Sequence, residues 1–451
     1  MTQSIEKANV HFMDSTCIDF NSGLVAKTQQ LFEKADLKGC FKKGDRVAVK
    51  VHMGEWGNTA YLRPILIRVI VDKIKESGGK PFVTDTTTLP YYTIASRQTA
   101  EDYLITAAYN GFTEETMGCP IVIADGPFGL DDVYMDFSEG IVLDETYIAK
   151  AIAEADAIIA VSHFKGHDWG VYGGSIKNIG VGCVSKRGKT ILHMCLHPKV
   201  GIKDWKFDGT FCKGKVCEEW TVCQNLCPAE AIEVLEDQLT YDLDKCIGCL
   251  ACCELVYKCS IRTMPKEWYE YTAIGMADSA SAVIKYLGKE NVGFITFGID
   301  VSPSCDCGQF ADRPIMPNLG VFASKDMVAI DTAALDMTMQ MRGIVDSLSE
   351  EKGALDSGTE KFTLVSSEKN ISQWIQINVC DELGVGTKNY DLTLEPVSKE
   401  WWQFCFPKYR DLKKPPSYYF RKYFADNPLV PPKGFKWKAK PRISVDQLSK
   451  R

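Results

Sequence analysis

The chain has 451 residues, 45% of them hydrophobic and 25% charged, the make-up of a globular protein of two or three domains with a substantial core. No apolar run reaches membrane-spanning length and the amino terminus carries no apolar signal segment, so a cytoplasmic protein with reduced thiols is expected. The formal charge of −7 is uneven: residues 401–451 carry thirteen Lys and Arg against three Asp and Glu, which leaves −17 on residues 1–400.

In chain order, residues 46–51 read as a strand, 63–77 as a helix ended by Gly78-Gly79, and 81–84 as the next strand. A strand at 121–124, a helix over 146–154, a buried strand at 157–161 and a strand at 292–297 continue the alternation. The expected core is α/β, a mostly parallel sheet covered by helices. Five of the six histidines fall in short polar motifs at the ends of these elements. Lys50, His52 and Glu55 end the first strand, and His163-Phe-Lys165-Gly166-His167 follows the strand at 157–161, where open parallel sheets collect ligands. The run from Gly173-Gly174 through Lys177-Asn178 to Gly180 and Gly182 reads as a backbone cradle for an anion or cofactor, or else as glycines serving turns and close packing. In the first reading Lys165, Lys177 and Asn178 hold an anionic group, His167 donates a proton, and Lys50 and His52 are further acid–base candidates. There is no Walker loop and no GxGxxG after a strand, so nucleotide hydrolysis and nicotinamide binding have no sequence handle.

Nine of the eighteen cysteines lie between Cys212 and Cys259, and this block interrupts the α/β alternation over residues 203–265. Its order is that of a duplicated bacterial ferredoxin, an inserted α+β domain with two 4Fe-4S clusters. Cys246, Cys249 and Cys252 form CxxCxxC, completed by Cys227 with Pro228 after it. The second cluster would take Cys212, Cys217, Cys223 and Cys259, at stretched spacings, with Cys253 able to exchange roles with Cys252. Zinc is the competing occupant of such thiols. His163 and His193, with Cys305 and Cys307 of a CxC, are candidates for a further metal ion.

The segments Val49-Lys50-Val-His52-Met-Gly54-Glu55, Thr84-Asp85-Thr86, Ser162-His163-Phe-Lys165-Gly166-His167 and Ser175-Ile-Lys177-Asn178-Ile-Gly180 resemble the iron-sulfur centre proteins of the domain of unknown function 362 family. The resemblance spans about residues 40–340 and takes in Cys305-Asp-Cys307, Asn318-Leu-Gly320 and Ala329-Ile-Asp331. It implies a ferredoxin-type insertion with two 4Fe-4S clusters, an anaerobic setting, and no assigned reaction. The family's core is also similar in architecture to the nickel-dependent lactate racemases, a likeness that does not transfer chemistry. Two departures stand out: the first cysteine run is longer than the family's, and Val256 stands where CxxCxxCxxxC would place a cysteine.

Residues 396–451 read as an extended arm in which ten aromatic residues from Trp401 to Phe424 alternate with basic residues and prolines. So many aromatics call for a surface to cover, on a partner subunit, a second copy or the chain's own body. Nucleic acid is the least favoured of the partners. The function expected is that of an iron-sulfur electron-transfer protein or oxidoreductase subunit, served by a ferredoxin-like donor or acceptor, with an unknown small-molecule substrate in the α/β cleft. The alternatives are a non-redox metal-dependent isomerase or hydrolase with structural clusters, and a cluster-carrying assembly or binding protein.

Overall fold

Eight strands form one sheet in the computed structural model, which describes residues 7–19, 21–89, 95–202, 206–207, 212–252, 262–366 and 369–398. They are β1 Ala8–Asp14, β2 Arg46–Lys50, β3 Lys80–Asp85, β4 Ile121–Ile123, β5 Ala157–His163, β6 Val292–Gly298, β7 Gly320–Ser324 and β8 Tyr390–Leu394. Their order is β8-β1-β7-β6-β5-β2-β3-β4, with β7 antiparallel to both neighbours and the other pairings parallel. Every residue of β5 and β6 is buried, because helices cover both faces, and so these strands read as apolar runs without alternation.

Successive residues of a strand feed opposite faces. Val47, Val49, Ile159, Val161, Ile295 and Phe297 enter the layer with helices Leu24–Lys34 and Pro64–Glu76. Ala48, Ile158, Ala160 and Phe294 enter the other, with helices Lys266–Leu287 and Met327–Gln340. The chain leaves β2 towards β3 and β4, then returns to the other side of β2 as β5. The strand order therefore reverses between β2 and β5, the position at which α/β sheets open a crevice beyond their strand ends.

Residues 146–154 correct the expected single helix. Glu145–Ala149 is a strand paired with Asp132–Asp136, and only Lys150–Ala153 is helical. Burial of Thr146 and Ile148 alternating with the half-buried Glu145 and Tyr147 in a two-stranded ribbon outweighs the helical spacing of the alanines. In the cysteine block, Lys206–Phe207 pairs with Arg262–Thr263, so the block enters and leaves at one place; between them lie helix Trp220–Asn225 and the hairpin Ile232–Val234 with Leu239–Tyr241. Cys253, Cys259 and the arm from residue 399 onward lie outside the described residues. Among the described residues no helix is long and apolar enough to cross a membrane.

Candidate functional site

A cavity of about 550 Å³ opens beyond the carboxyl ends of β2, β3 and β5, at the strand-order reversal. Lys50, His52, Asp85, Arg97, His163, Lys165, His167, Lys177, Asn178, His193, Cys305, Asp306 and Cys307 all line it, so the polar motifs singled out along the sequence converge on one space.

Its floor is a buried ion pair. Lys50 Nζ lies 2.9 Å from Asp85 and donates to Asn178 Oδ1 at 2.7 Å, while Tyr103 Oη donates to Asp85. The amide of Asn178 donates to Val161 O at 3.0 Å and to Ser162 Oγ at 3.1 Å, tying β5 to the lysine on β2. Asn178 is thus committed to positioning Lys50. Glu55 is held in the same manner by Arg97 Nε at 2.8 Å, Ser96 N at 2.8 Å and Trp56 N at 2.9 Å. Burial opposes ionisation of Glu55, but Arg97 and these donors hold its carboxyl below its usual range.

Asp306 anchors the opposite wall. It accepts from His163 Nδ1 at 2.8 Å and faces Lys165 Nζ at 3.2 Å; despite burial, these two partners hold its carboxyl well below the usual range. The other nitrogen of His163 faces Ile299 O at 2.7 Å, so protein acceptors occupy both ring nitrogens.

In the remaining cavity histidines a hydrogen bond at Nδ1 fixes the tautomer. Backbone N–H of Gly54 donates to His52 Nδ1 at 2.9 Å, and that of Gly170 to His167 Nδ1 at 2.8 Å, which leaves the ring proton of each neutral imidazole on Nε2. Among the described residues His52 Nε2 is buried without a partner. His193 has the opposite tautomer: Nδ1 donates to Lys189 O at 2.7 Å, leaving a lone pair on Nε2. Burial lowers all three rings, reinforced by Lys177 in each case, and His193 falls to about 4. The rings of His52 and His167 therefore carry an N–H donor on Nε2 and that of His193 an acceptor.

Lys177 extends to a pair of thiols, with Nζ 3.0 Å from Cys305 Sγ and 3.9 Å from Cys307 Sγ. Burial works against a thiolate at Cys305, but the Cys307 thiol and the Lys177 and Lys165 ammonium groups prevail and hold it well below its usual range; Cys307 is pushed up because it shares its proton with Cys305. The donor atoms of His167, Cys305 and Cys307 all lie within 4.8 Å of one another, close enough for a single metal ion to bridge. An ion bound there would have to displace the proton that the Gly170 amide places on His167 Nε2 and the contact of Lys177 with Cys305.

The glycines make room for protein atoms. A Cβ on Gly174 would stand 2.6 Å from Asp331 Oδ2, and Asp331 accepts the amides of Ser175 and Ile176 at 2.8 and 2.9 Å. The start of helix Ser175–Gly180, expected to meet an external anion, is thus capped from within the protein. A Cβ on Gly180 would collide with Met276 O on the long helix, and one on Gly182 with Lys50 Nζ, while Gly173 leaves space for the stems of Lys165 and Lys177. Close packing accounts for these four positions, and Lys165 and Lys177 are partnered by Asp306 and Cys305 in place of a free anion.

In the cysteine block, Cys227, Cys246, Cys249 and Cys252 line one small cavity together. Ala231 N donates to Cys227 Sγ at 3.2 Å and Tyr241 Oη to Cys246 Sγ at 3.0 Å, the type of contact that stabilises thiolate ligands. Cys223 and Leu226, on and just after helix Trp220–Asn225, line the large cavity of the α/β sheet, which brings the block to the histidines and to Cys307.

Sequence reasoning missed Arg97, Asp306 and the capping role of Asp331. Asp306 lies within the CxC, and only its position between two thiols marks it.

The family described as Domain of unknown function (DUF362) matches residues 47–336. No curated protein matches the chain. Among solved structures, a Thermotoga maritima protein is similar at 9% identity and TM-score 0.36, over 70% of this chain and 56% of that one. The lactate racemase apoprotein from Thermoanaerobacterium thermosaccharolyticum is similar at 12% identity and TM-score 0.31, over 65% of this chain and 51% of that one. The chain thus spans about half the length of these structures.

Proposed function

Because the chain belongs to the DUF362 family, whose domain carries no assigned function, we propose from its own residues that it is an iron-sulfur oxidoreductase acting on a small molecule in the cleft. The observation that carries this reading is that Cys223 of the cysteine block and the Lys177, Cys305 and His167 group of the sheet line one cavity.

Cys227, Cys246, Cys249 and Cys252 fit a 4Fe-4S cluster: four thiols face one space, with an amide and a hydroxyl donating to two of the sulfurs. Cys212, Cys217 and Cys223, with Cys259, are assigned to the other. Clusters held there would supply single electrons. The cleft residues bind and protonate. Nε2–H of His52 and of His167 are donors to a bound molecule, and Lys165 and Lys177 keep Asp306 and Cys305 ionised. Residues 203–265 form the inserted electron-carrying domain, residues 1–202 and 266–395 the binding domain, and residues 396–451 an arm for a partner subunit or a second copy. A ferredoxin-like protein is the redox partner.

The test is anaerobic purification followed by metal analysis and electron paramagnetic resonance of the reduced protein. Two magnetically coupled cubane signals are the expected result. A colourless preparation with zinc on these thiols would overturn the proposal.

A further inference from the structure

Cys305 and Cys307 sit on a tight turn closed by the Gly308 amide on Cys305 O at 3.0 Å, and Asp306 between them is fixed by His163 and Lys165. Both sulfurs reach the cavity, less than 4.8 Å apart, with the Lys177 ammonium beside them and the cluster-type cysteine Cys223 lining the same space. We infer that Cys305 and Cys307 are a two-electron thiol–disulfide couple and that the molecule reduced in the cleft is a disulfide. This deepens the oxidoreductase reading, on which it rests for the source of electrons.

Cys305, the sulfur nearer Lys177, attacks one sulfur of the bound disulfide: its S–S bond breaks, a bond from Cys305 to that sulfur forms, and one thiolate leaves. Cys307 then attacks Cys305 Sγ, the mixed disulfide breaks, and the second thiolate leaves with the proton that Cys307 gives up. The substrate has gained two electrons and the protein holds a Cys305–Cys307 disulfide. Two equivalents of a one-electron iron-sulfur donor and one proton restore the thiolate–thiol pair. The alternation of one thiol beside an ammonium and a second within reach is what distinguishes an attacking from a resolving cysteine.

The test uses full-length, cluster-loaded protein in a Cys17→Ser, Cys253→Ser, Cys405→Ser background, which removes an exposed thiol and two outside the described residues that the cluster assignment leaves free. Pre-reduced, desalted protein is mixed anaerobically with 5,5′-dithiobis(2-nitrobenzoate). The expected result is a fast release of two thiolates per chain with no adduct retained and a peptide containing Cys305 and Cys307 lighter by two hydrogens. With Cys307→Ser, one thiolate leaves and the adduct stays on Cys305; with Cys305→Ser the fast phase disappears; Lys177→Met slows it by about tenfold. A fast phase that survives Cys305→Ser, or a stoichiometric metal ion that blocks release until chelated, would overturn the inference. Iron content and paramagnetic resonance on the same samples report on the clusters separately: thiol exchange without iron would remove the electron source and leave the couple standing.

Discussion

His193 shows how much a single buried ring contributes to pH behaviour. Its neutral form donates to Lys189 O, and burial lowers it from 6.5 to about 4. The folded state therefore binds fewer protons than the unfolded state between those values. No penalty exists above pH 6.5; stability falls as pH drops through the window and levels off below about 4, for a loss of about 3 kcal/mol. Denaturant titrations at pH 7 and 4.5 are expected to show a smaller acid loss for His193→Gln than for the natural chain, and an equal loss would contradict this account. The ring's setting was not legible in the sequence. Lys189 is four residues away, but the burial depends on Trp169 and Trp268, the second of which is 75 positions distant and donates to His193 O. The same holds for Asp306, whose partner His163 is 143 positions away. Lys50, His163 and His167 were legible because a polar residue just after an apolar strand has a defined place at the sheet edge.

At the scale of elements, Asp278 on the long helix Lys266–Leu287 fastens a loop by accepting the amides of Ile141, Val142 and Leu143 at 3.1, 2.7 and 3.0 Å. Asp278→Ala leaves three amides without an acceptor beneath a helix. It is expected to cost about 3 kcal/mol or more, read as a lowered denaturation midpoint, whereas Asp278→Asn, which keeps an acceptor oxygen, loses less. The strands of the sheet were legible from β-branched and apolar runs bounded by glycine and charge; five of them fall within a few residues of their expected places. The reversed direction of β7 was not, because pairing partners are set by contacts across the sheet and not by the composition of one strand. The glycine run from Gly173 to Gly182 has a pattern that serves a ligand cradle and close packing alike; only the positions of Asp331, Met276 and Lys50 separate the two.

For the whole molecule, the cysteine block and the sheet meet at one cavity, so a defect in one is expected to be felt in the other. Cys249→Ser removes one of four thiols around the smaller cavity, and iron content is expected to fall by about half while the far-ultraviolet circular dichroism of the sheet domain is retained. Unchanged iron would place the cluster elsewhere.

The pairing of Lys206–Phe207 with Arg262–Thr263 brings the first and last residues of that block side by side, like the two prongs of a plug. An excision there needs only a short bridge to rejoin the chain, at little entropic cost of closure. What such a trimmed protein loses is its roof: with Cys223 and Leu226 gone, the imidazoles and the sulfur pair would face bulk solvent, exposed to stray oxidants.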